Sequence, residues 1–252
     1  MKLMKPEKSY IIWFSQRTGS TVLCKALEST GVAGIPEEWF LNSNLKEQYQ
    51  AASYSELQQK IWKKGISKNG VFGAKISFYQ PHNDEIINTL KKFPGGKSCT
   101  NRAELWENAF PNCKHIFMTR RNKIRLAVSW WKAIKTGEFH RKKGDTPEKI
   151  KLDGKYSFDA INHLLLDCVF REAGIQEFFM EDNIKPLTIV YEDFIQEYEN
   201  TIYEILDFLE IPERDQIKVD SPYFEKLADD ISEKWVQKFR EERQKDWDNK
   251  GW

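Results

Sequence analysis

The residues best suited to chemistry stand in one polar stretch, Ser15-Gln16-Arg17-Thr18-Gly19-Ser20-Thr21. An apolar run precedes this stretch and a helical pattern follows it, so it should connect a strand to a helix. Backbone N–H groups at the start of a helix attract anions, and Gly19 would let the chain turn close to a ligand. The Arg17 guanidinium and the hydroxyls of Ser20 and Thr21 would add donors for phosphate or sulfate oxygens. The stretch predicts an anion-binding loop, and the alternative is a tight turn with an ordinary serine cap.

The loop lacks the features of a nucleoside-triphosphate loop, which reads GxxxxGK[ST]. Neither the first glycine nor the lysine stands in register, which argues against ATP with Mg²⁺. The cysteines Cys24, Cys99, Cys113 and Cys168 form no CxxC pair, and the histidines are scattered along the chain. We therefore expect no metal site, and reduced thiols in a cytoplasmic protein.

Two glutamates and one lysine are further candidates. Glu37 and Glu38 follow Pro36. A carboxylate there could accept a proton, but the dipeptide alone is more typical of acidic residues at a helix N-terminus. Lys75 lies inside the apolar run Val71–Ser77. Because a buried lysine is uncommon unless it is paired or functional, we expect it to contact either a substrate or a carboxylate.

Short apolar runs alternate with helical patterns along the chain. Strands are predicted at 9–15, 71–77, 115–119 and 187–191, and helices at 20–29, 120–136, 158–180, 202–209 and 231–241. This alternation predicts a single α/β domain over residues 1–252, in which helices flank a mainly parallel sheet. Such sheets bind ligands at the carboxyl ends of their strands. The polar stretches 91–100 and 137–156 are predicted to be surface loops or lids.

Composition narrows the classes of function. Of the 252 residues, 39 are Lys or Arg and 38 are Asp or Glu, so the formal net charge is +1. A general attraction to nucleic acids or membranes is not supported, and any anion site has to be local. No stretch reaches the roughly 20 apolar residues that a transmembrane span needs. No apolar segment typical of a signal peptide follows the first lysines, so none is expected.

Two sequence blocks carry a resemblance to a known family. The stretch 15–21 resembles the 5′-phosphosulfate-binding loop of sulfotransferases. Residues 30–40, TGVAGIPEEWF, resemble the segment after the first helix in bacterial carbohydrate sulfotransferases of the trehalose 2-sulfotransferase type, with their pattern TGVAG-x-P-x-E-x-F. Further matches lie at 72–75, 121–133, 228–229 and 233–236, so the resemblance covers most of the chain. It is weakest at 49–70, 93–109 and 137–157.

The resemblance implies a P-loop-like three-layer fold and a specific donor, 3′-phosphoadenosine-5′-phosphosulfate (PAPS). The product of that donor would be 3′-phosphoadenosine-5′-phosphate (PAP), and no metal would take part. Arg17, Thr18, Gly19, Ser20 and Thr21 would hold the 5′-phosphosulfate, and Arg17 would also serve catalysis.

The other end of the donor has its own candidates. Arg121 and Ser129 match the pair that holds the 3′-phosphate in sulfotransferases, and Lys226 matches a further basic position near the end of the chain. Asn122 stands where the family usually has an acidic residue, a change that would weaken a cap or an ion pair and spare the phosphate contacts. The other basic residues near the C-terminus are expected on the solvated face of a closing helix.

On the acceptor side, the resemblance places the catalytic base on Glu38. Glu37 and Lys75 are the candidates for binding the acceptor, a hydroxyl of a carbohydrate or related small molecule, trehalose-like or glycolipid-like. His140 matches a position that is often aromatic, so it could stack on the acceptor or simply be a polar surface residue. Members of the family are often dimers, so a homodimer is also expected.

Two other functions compete with this hypothesis. One is a P-loop phosphotransferase, against which the missing lysine and the lack of an obvious Mg²⁺ carboxylate count. The other is a non-catalytic nucleotide-binding or sugar-binding module on the same fold. The joint presence of Arg17, Glu38, Arg121 and Ser129 favours an enzyme.

Overall fold

Four parallel strands form the sheet of the computed structural model, which describes residues 5–41, 44–79, 81–146, 151–212 and 216–248. The strands are β1 (Lys8–Phe14), β2 (Val71–Ser77), β3 (Cys113–Thr119) and β4 (Leu187–Val190). Their order across the sheet is β2-β1-β3-β4, and every neighbouring pair is parallel. The order reverses between β1 and β3, which is where open α/β sheets form a ligand-binding crevice.

The helices of the described residues connect these strands. They are α1 (Ser20–Ser29), α2 (Leu45–Gln48), α3 (Tyr54–Gly65), α4 (His82–Leu90), α5 (Arg102–Ala109), α6 (Lys123–Thr136), α7 (Phe158–Glu181), α8 (Tyr191–Gln196), α9 (Tyr198–Phe208) and α10 (Asp230–Arg243). A 3-10 turn, Gly96–Ser98, lies between α4 and α5. No described helix combines the length and the apolar character that crossing a membrane would require.

Side chains of β1 alternate between two hydrophobic cores, one on each face of the sheet. Ile11 and Trp13 pack with residues of α3, α4, α5 and the end of α7. Tyr10, Ile12 and Phe14 pack on the opposite face with residues of α1, α8 and α9. Successive side chains of a strand point to opposite faces, so helices have to cover both. The predicted three-layer α/β fold is confirmed.

A third hydrophobic core lies among three helices at one side of the sheet. Helices α6, α7 and α10 pack around buried residues that include Leu126, Trp235 and Phe239. The side chain of Asn122 caps α6 by accepting from the Arg125 N–H at 3.0 Å, and Gly137 ends the helix with φ of 72°. The face of α6 that looks away from this core is therefore held at a fixed position.

Most predicted elements are present, with shifted ends. The strand predicted at 71–77 matches β2, and the helix predicted at 20–29 matches α1. The helix predicted from 120 begins at Lys123. Residues 120–122 form a loop, and its last residue, Asn122, caps the helix. The strand predicted to reach 191 ends at Val190, since Tyr191 starts a helix. The predicted loop 137–156 falls partly outside the described residues; its described part contains only an isolated bridge, Lys142 to Phe224.

Candidate active site

A cavity of about 320 Å³ opens where the strand order reverses, at the carboxyl ends of β1 and β3. Segments that are far apart in sequence line it: the loop after β1, the first turn of α1, the inner face of α6, residues 138–140, the start of α8 and the segment 224–228. Candidate residues that line this cavity are Arg17, Gly19, Ser20, Thr21, Glu38, Ser129, His140 and Lys226. The structure therefore brings most of the sequence candidates together.

The loop after β1 has the conformation that an anion cradle needs. Gly19 caps α1 with φ of 90°, and a Cβ there would collide with the ring of Tyr191. Only glycine fits both the backbone angle and the space. The amides of Val22 and Leu23 donate to the Gly19 carbonyl at 2.9 and 3.2 Å, which leaves the amides before them at the open first turn of the helix. A ligand anion would meet these amides and the positive end of the helix dipole.

Thr18 supports the loop from below and does not line the cavity. Its side chain is fully buried, and its hydroxyl donates to the Ser15 carbonyl at 2.9 Å. That bond closes the turn between Ser15 and Gly19. Thr18 could therefore offer a ligand only its backbone.

Arg17 reaches across the cavity from the loop to α6. Its Nε donates to Ser129 Oγ at 3.2 Å, and its Nη1 donates to the Phe139 carbonyl at 2.5 Å. Burial, and after it the nearby charge of Arg120, lowers the pKa of Arg17 to about 10, so the guanidinium stays charged at neutral pH. A partly buried cation of this kind favours an anionic ligand.

Of the two adjacent arginines, Arg120 lines the cavity and Arg121 does not. Arg121 is largely exposed and forks onto the carboxylate of Asp193, with N–O distances of 3.1 and 2.7 Å. The Arg120 side chain is only 14% exposed and stacks on Tyr191, 4.7 Å from its ring centre. The structure thus brings Ser129 to the cavity but holds the Arg121 side chain outside it, against Asp193.

Glu192 holds the loop that carries Arg120. Its carboxylate accepts the backbone N–H groups of Arg121 at 2.8 Å and Asn122 at 3.3 Å, and it lies 3.5 Å from Arg120 Nε. Burial raises the pKa of Glu192, and these amide bonds and Arg120 lower it more, so the net shift is downward. Sequence reasoning missed this role, since Glu192 stands about 70 residues from the loop that it contacts.

Glu38 faces the same cavity from the edge of β2. Lys75 Nζ lies 3.3 Å from Glu38 Oε1 and donates to Thr21 Oγ1 at 3.1 Å. Lys75 is 6% exposed, as expected for a lysine inside a strand, and it contacts a carboxylate rather than solvent. A lysine between a carboxylate and the anion loop fixes both in position and adds positive charge between them.

Glu37 points away from this group. Its carboxylate pairs with Lys25 at 2.9 Å, and it does not line the cavity. Its backbone carbonyl accepts the N–H of Lys75 at 3.0 Å, which extends the edge of β2. Because neighbouring side chains on an extended segment point to opposite sides, this bond directs Glu38 inward and Glu37 outward.

His140 and Lys226 lie on two segments that pair across the cavity mouth. The N–H of Lys143 donates to the Tyr223 carbonyl at 3.1 Å, and that of Glu225 donates to the Arg141 carbonyl at 2.9 Å. The His140 ring lies 5.1 Å from that of Phe224, and its Nε2 is 3.5 Å from Thr21 Oγ1. Desolvation in the cavity and the charges of Arg17 and Lys75 lower the pKa of His140 to about 4, so it is neutral at pH 7.

The cavity keeps a local positive charge although the protein is nearly neutral. On α6, Arg125 pairs with Glu233 and Lys132 pairs with Asp229, so those cations are balanced. Within the part of the chain that the structure describes, Arg17 pairs with no carboxylate. The same residues contain no group of three or more His, Cys, Asp or Glu side chains arranged to hold a metal. The surplus positive charge of the cavity is therefore carried by arginine and lysine side chains that line it.

Comparison with known proteins gives distant relatives of similar length. The trehalose 2-sulfotransferase of Mycolicibacterium smegmatis is 24% identical over 267 residues, covering 94% of this chain and 96% of the relative. That of Mycobacterium tuberculosis is 23% identical over 262 residues, covering 93% and 95%. A sulfotransferase structure from Alicyclobacillus acidocaldarius aligns with a TM-score of 0.46 and 12% identity over 95% of this chain and 90% of that one. The family model for Stf0 sulphotransferase matches residues 9–242, and the chain therefore belongs to the Stf0 sulphotransferase family.

Proposed function

We propose that the protein transfers a sulfuryl group from PAPS to a hydroxyl of a carbohydrate or related small molecule, of the trehalose or glycolipid type. One observation carries the proposal: Arg17, the open first turn of α1 and Ser129 line the same cavity as the carboxylate Glu38. An anion-binding half and a proton-accepting half thus share one space. The two relatives are trehalose 2-sulfotransferases, which supports a carbohydrate acceptor.

The 5′ end of the donor would lie against the loop after β1. Arg17, Ser20 and Thr21 offer side-chain donors there, and Gly19 lets the backbone approach the ligand. These groups would stabilise the negative charge that collects on the 5′-phosphate as the sulfur–oxygen bond breaks. Because these donors are already positioned, the charge would be stabilised without reorganisation of the loop.

The 3′-phosphate would lie nearer α6. Ser129 and Arg120 both line that part of the cavity, and Lys226 approaches from the segment before α10. We therefore assign the 3′-phosphate to Arg120 with Ser129 and Lys226. Arg121 would contribute only if it released Asp193.

Glu38 is the proposed base. Its carboxylate would take the proton of the acceptor hydroxyl while that oxygen attacks sulfur, and PAP would leave with the electrons of the broken bond. Lys75 would keep Glu38 aimed at the cavity through their 3.3 Å contact. We propose that Glu37 serves this arrangement through its backbone bond to Lys75 rather than by binding the acceptor.

The cysteines bear on the cellular location that we propose for the enzyme. All four are free thiols in the structure: Cys24, Cys99, Cys113 and Cys168. This supports a reducing, cytoplasmic location.

An exposed apolar face on α7 is a candidate surface for the expected homodimer, and it consists of Leu166, Val169 and Phe170. Light scattering of wild type and Phe170→Glu tests this: a dimer that becomes a monomer supports the assignment, and an unchanged mass contradicts it.

The function is tested by turnover with PAPS and a panel of sugars, trehalose among them, read as sulfated product by mass spectrometry. Glu38→Gln should lower kcat by about 10²–10⁴ while PAP binding, measured by calorimetry, stays within a few-fold. Glu37→Gln is the matched control and should retain turnover. A wild-type protein that ignores PAP but binds ATP with Mg²⁺ would support a phosphotransferase instead. Tight PAP binding without turnover on any acceptor would indicate a binding module.

A further inference from the structure

Beneath the cavity, one carboxylate on α7 joins the ends of two strands. Glu172 Oε2 accepts from Lys123 Nζ at 2.6 Å and from Thr119 Oγ1 at 2.9 Å, and its Oε1 accepts from Ser15 Oγ at 3.2 Å. Lys123 also donates to Thr119 Oγ1 at 2.6 Å. The Glu172 side chain is only 13% exposed. Charge-assisted bonds of this kind are stronger than neutral ones and hold their partners firmly when shielded from water.

The partners of Glu172 sit at the roots of the two arginine-bearing loops. Ser15 is the first residue after β1 and stands two positions before Arg17. Thr119 is the last residue of β3 and directly precedes Arg120. None of the three bonds reaches the cavity itself, since neither Glu172 nor its partners line it. Glu172 can therefore act on a ligand only by fixing where these loops stand.

We propose that Glu172 is a positioning residue that sets the separation between the loop after β1 and the loop after β3, and so couples recognition of the two phosphates of the donor. This inference rests on the proposed function, in which Arg17 binds the 5′ end and Arg120 the 3′ end. A ligand with two anchoring groups gains affinity only when both sites stand at matching separation. A small shift of one loop would therefore lower the affinity for a ligand that is bound at both ends. It would leave the affinity for a ligand bound at a single end nearly unchanged.

Three ligands separate this role from a general structural one. PAP carries both phosphates, adenosine 5′-phosphate carries only the first, and adenosine 3′-phosphate only the second. In Glu172→Gln, which keeps the shape and loses the charge, we expect PAP affinity to fall about tenfold. Each single-phosphate ligand should change by less than about twofold. Calorimetric titration measures all three on each variant.

Two further variants complete the test. Thr119→Val removes the bonds of Thr119 Oγ1 to Glu172 and to Lys123 but leaves the Lys123–Glu172 pair. It should therefore show the same selective loss of PAP affinity even if Glu172→Gln folds poorly. Asp182→Asn is the control, because Asp182 pairs with Arg102 near the end of α7, away from the cavity. It should leave the ratio of PAP to single-phosphate affinities unchanged.

The outcomes are distinct. A selective loss of PAP affinity in both Glu172→Gln and Thr119→Val, or in Thr119→Val alone if Glu172→Gln does not fold, supports the inference. Equal weakening of all three ligands, or no change in any, overturns it while leaving the proposed function standing. A wild-type protein that does not bind PAP overturns the proposed function and this inference with it.

Discussion

Arg17 Nε donates to Ser129 Oγ at 3.2 Å, and this bond links the loop after β1 to the inner face of α6. A guanidinium has no acceptor atom, so Ser129 must accept and its own hydroxyl hydrogen is left free to donate. Ser129 can thus orient Arg17 and contact a phosphate oxygen at the same time. The two proposed ends of the donor site are joined by a single hydroxyl.

Replacing Ser129 tests this double role. Ser129→Ala removes the acceptor of Arg17 and the donor to phosphate, so PAP affinity should fall by about 10-fold. Ser129→Thr keeps the hydroxyl and should stay within a few-fold of wild type, as measured by calorimetry. Equal affinities for wild type and Ser129→Ala would show that the hydroxyl does not contact the ligand.

The assignment of the 3′-phosphate to Arg120 rather than Arg121 gives a second prediction. Arg120→Ala should weaken PAP binding by about 10- to 100-fold, because it removes a charged donor from the cavity. Arg121→Ala should change it by less than about twofold, since that guanidinium already pairs with Asp193 outside the cavity. The reverse order would show that Arg121 leaves Asp193 when the ligand binds. The same titration on the two single variants decides between them.

A structural feature could be predicted from the sequence when it depends on residues close together in the chain, and not when it depends on distant ones. The loop between β1 and α1 was predictable because strand, glycine and helix start follow one another within a few residues. The positions of the Arg120 and Arg121 side chains were not, because they depend on contacts with Glu192 and Asp193, about 70 residues away. The family resemblance assigned the 3′-phosphate to Arg121, and it gave no sign that Asp193 would pair with that side chain outside the cavity.

Some misses had a local signal. Leu57, Ile61 and Trp62 are buried on one face of α3, at the spacing of an amphipathic helix. That pattern could have predicted α3, although the segment shows little family resemblance. The orientation of Glu37 and Glu38 had no such signal, because it follows from a backbone bond to Lys75 on another segment.

A third prediction concerns Lys75. Lys75→Met keeps the length of the side chain but loses the contacts to Glu38 and Thr21, so kcat should fall by about 10- to 100-fold. Stability should change little, because the Glu38 carboxylate that loses its partner faces the open cavity, where water can solvate it. Lys25→Met is the matched control: it breaks the neighbouring pair with Glu37 and should keep kcat within about twofold. Equal losses of kcat in both variants would mean that positive charge near Glu37 and Glu38 matters, and not the orientation of the Glu38 side chain.

The fourth prediction concerns the close approach at Gly19. Gly19→Ala forces a Cβ against Tyr191 and an alanine into φ of 90°, so it should destabilise the protein by about 2–4 kcal/mol. Gly137→Ala is the control, since its φ of 72° is similar and nothing lies within 4 Å of the added atom. It should cost only about 1 kcal/mol. Urea denaturation measures both, and equal costs would show that the ring of Tyr191 moves aside freely.

The last prediction is a dependence of stability on pH that arises at His115, far from the cavity. Burial lowers its pKa to about 4, and Trp13 Nε1 donates to its Nδ1 at 2.9 Å, a bond that protonation of Nδ1 would break. Between about pH 6.5 and pH 4 the unfolded chain binds a proton at this residue that the folded protein does not. The free energy of unfolding should therefore fall as pH is lowered through that window, by up to about 3 kcal/mol from this group. His115→Gln keeps an acceptor for Trp13 and should flatten the difference between pH 7 and pH 4 in urea denaturation; parallel curves for the two proteins would show that His115 does not cause the slope.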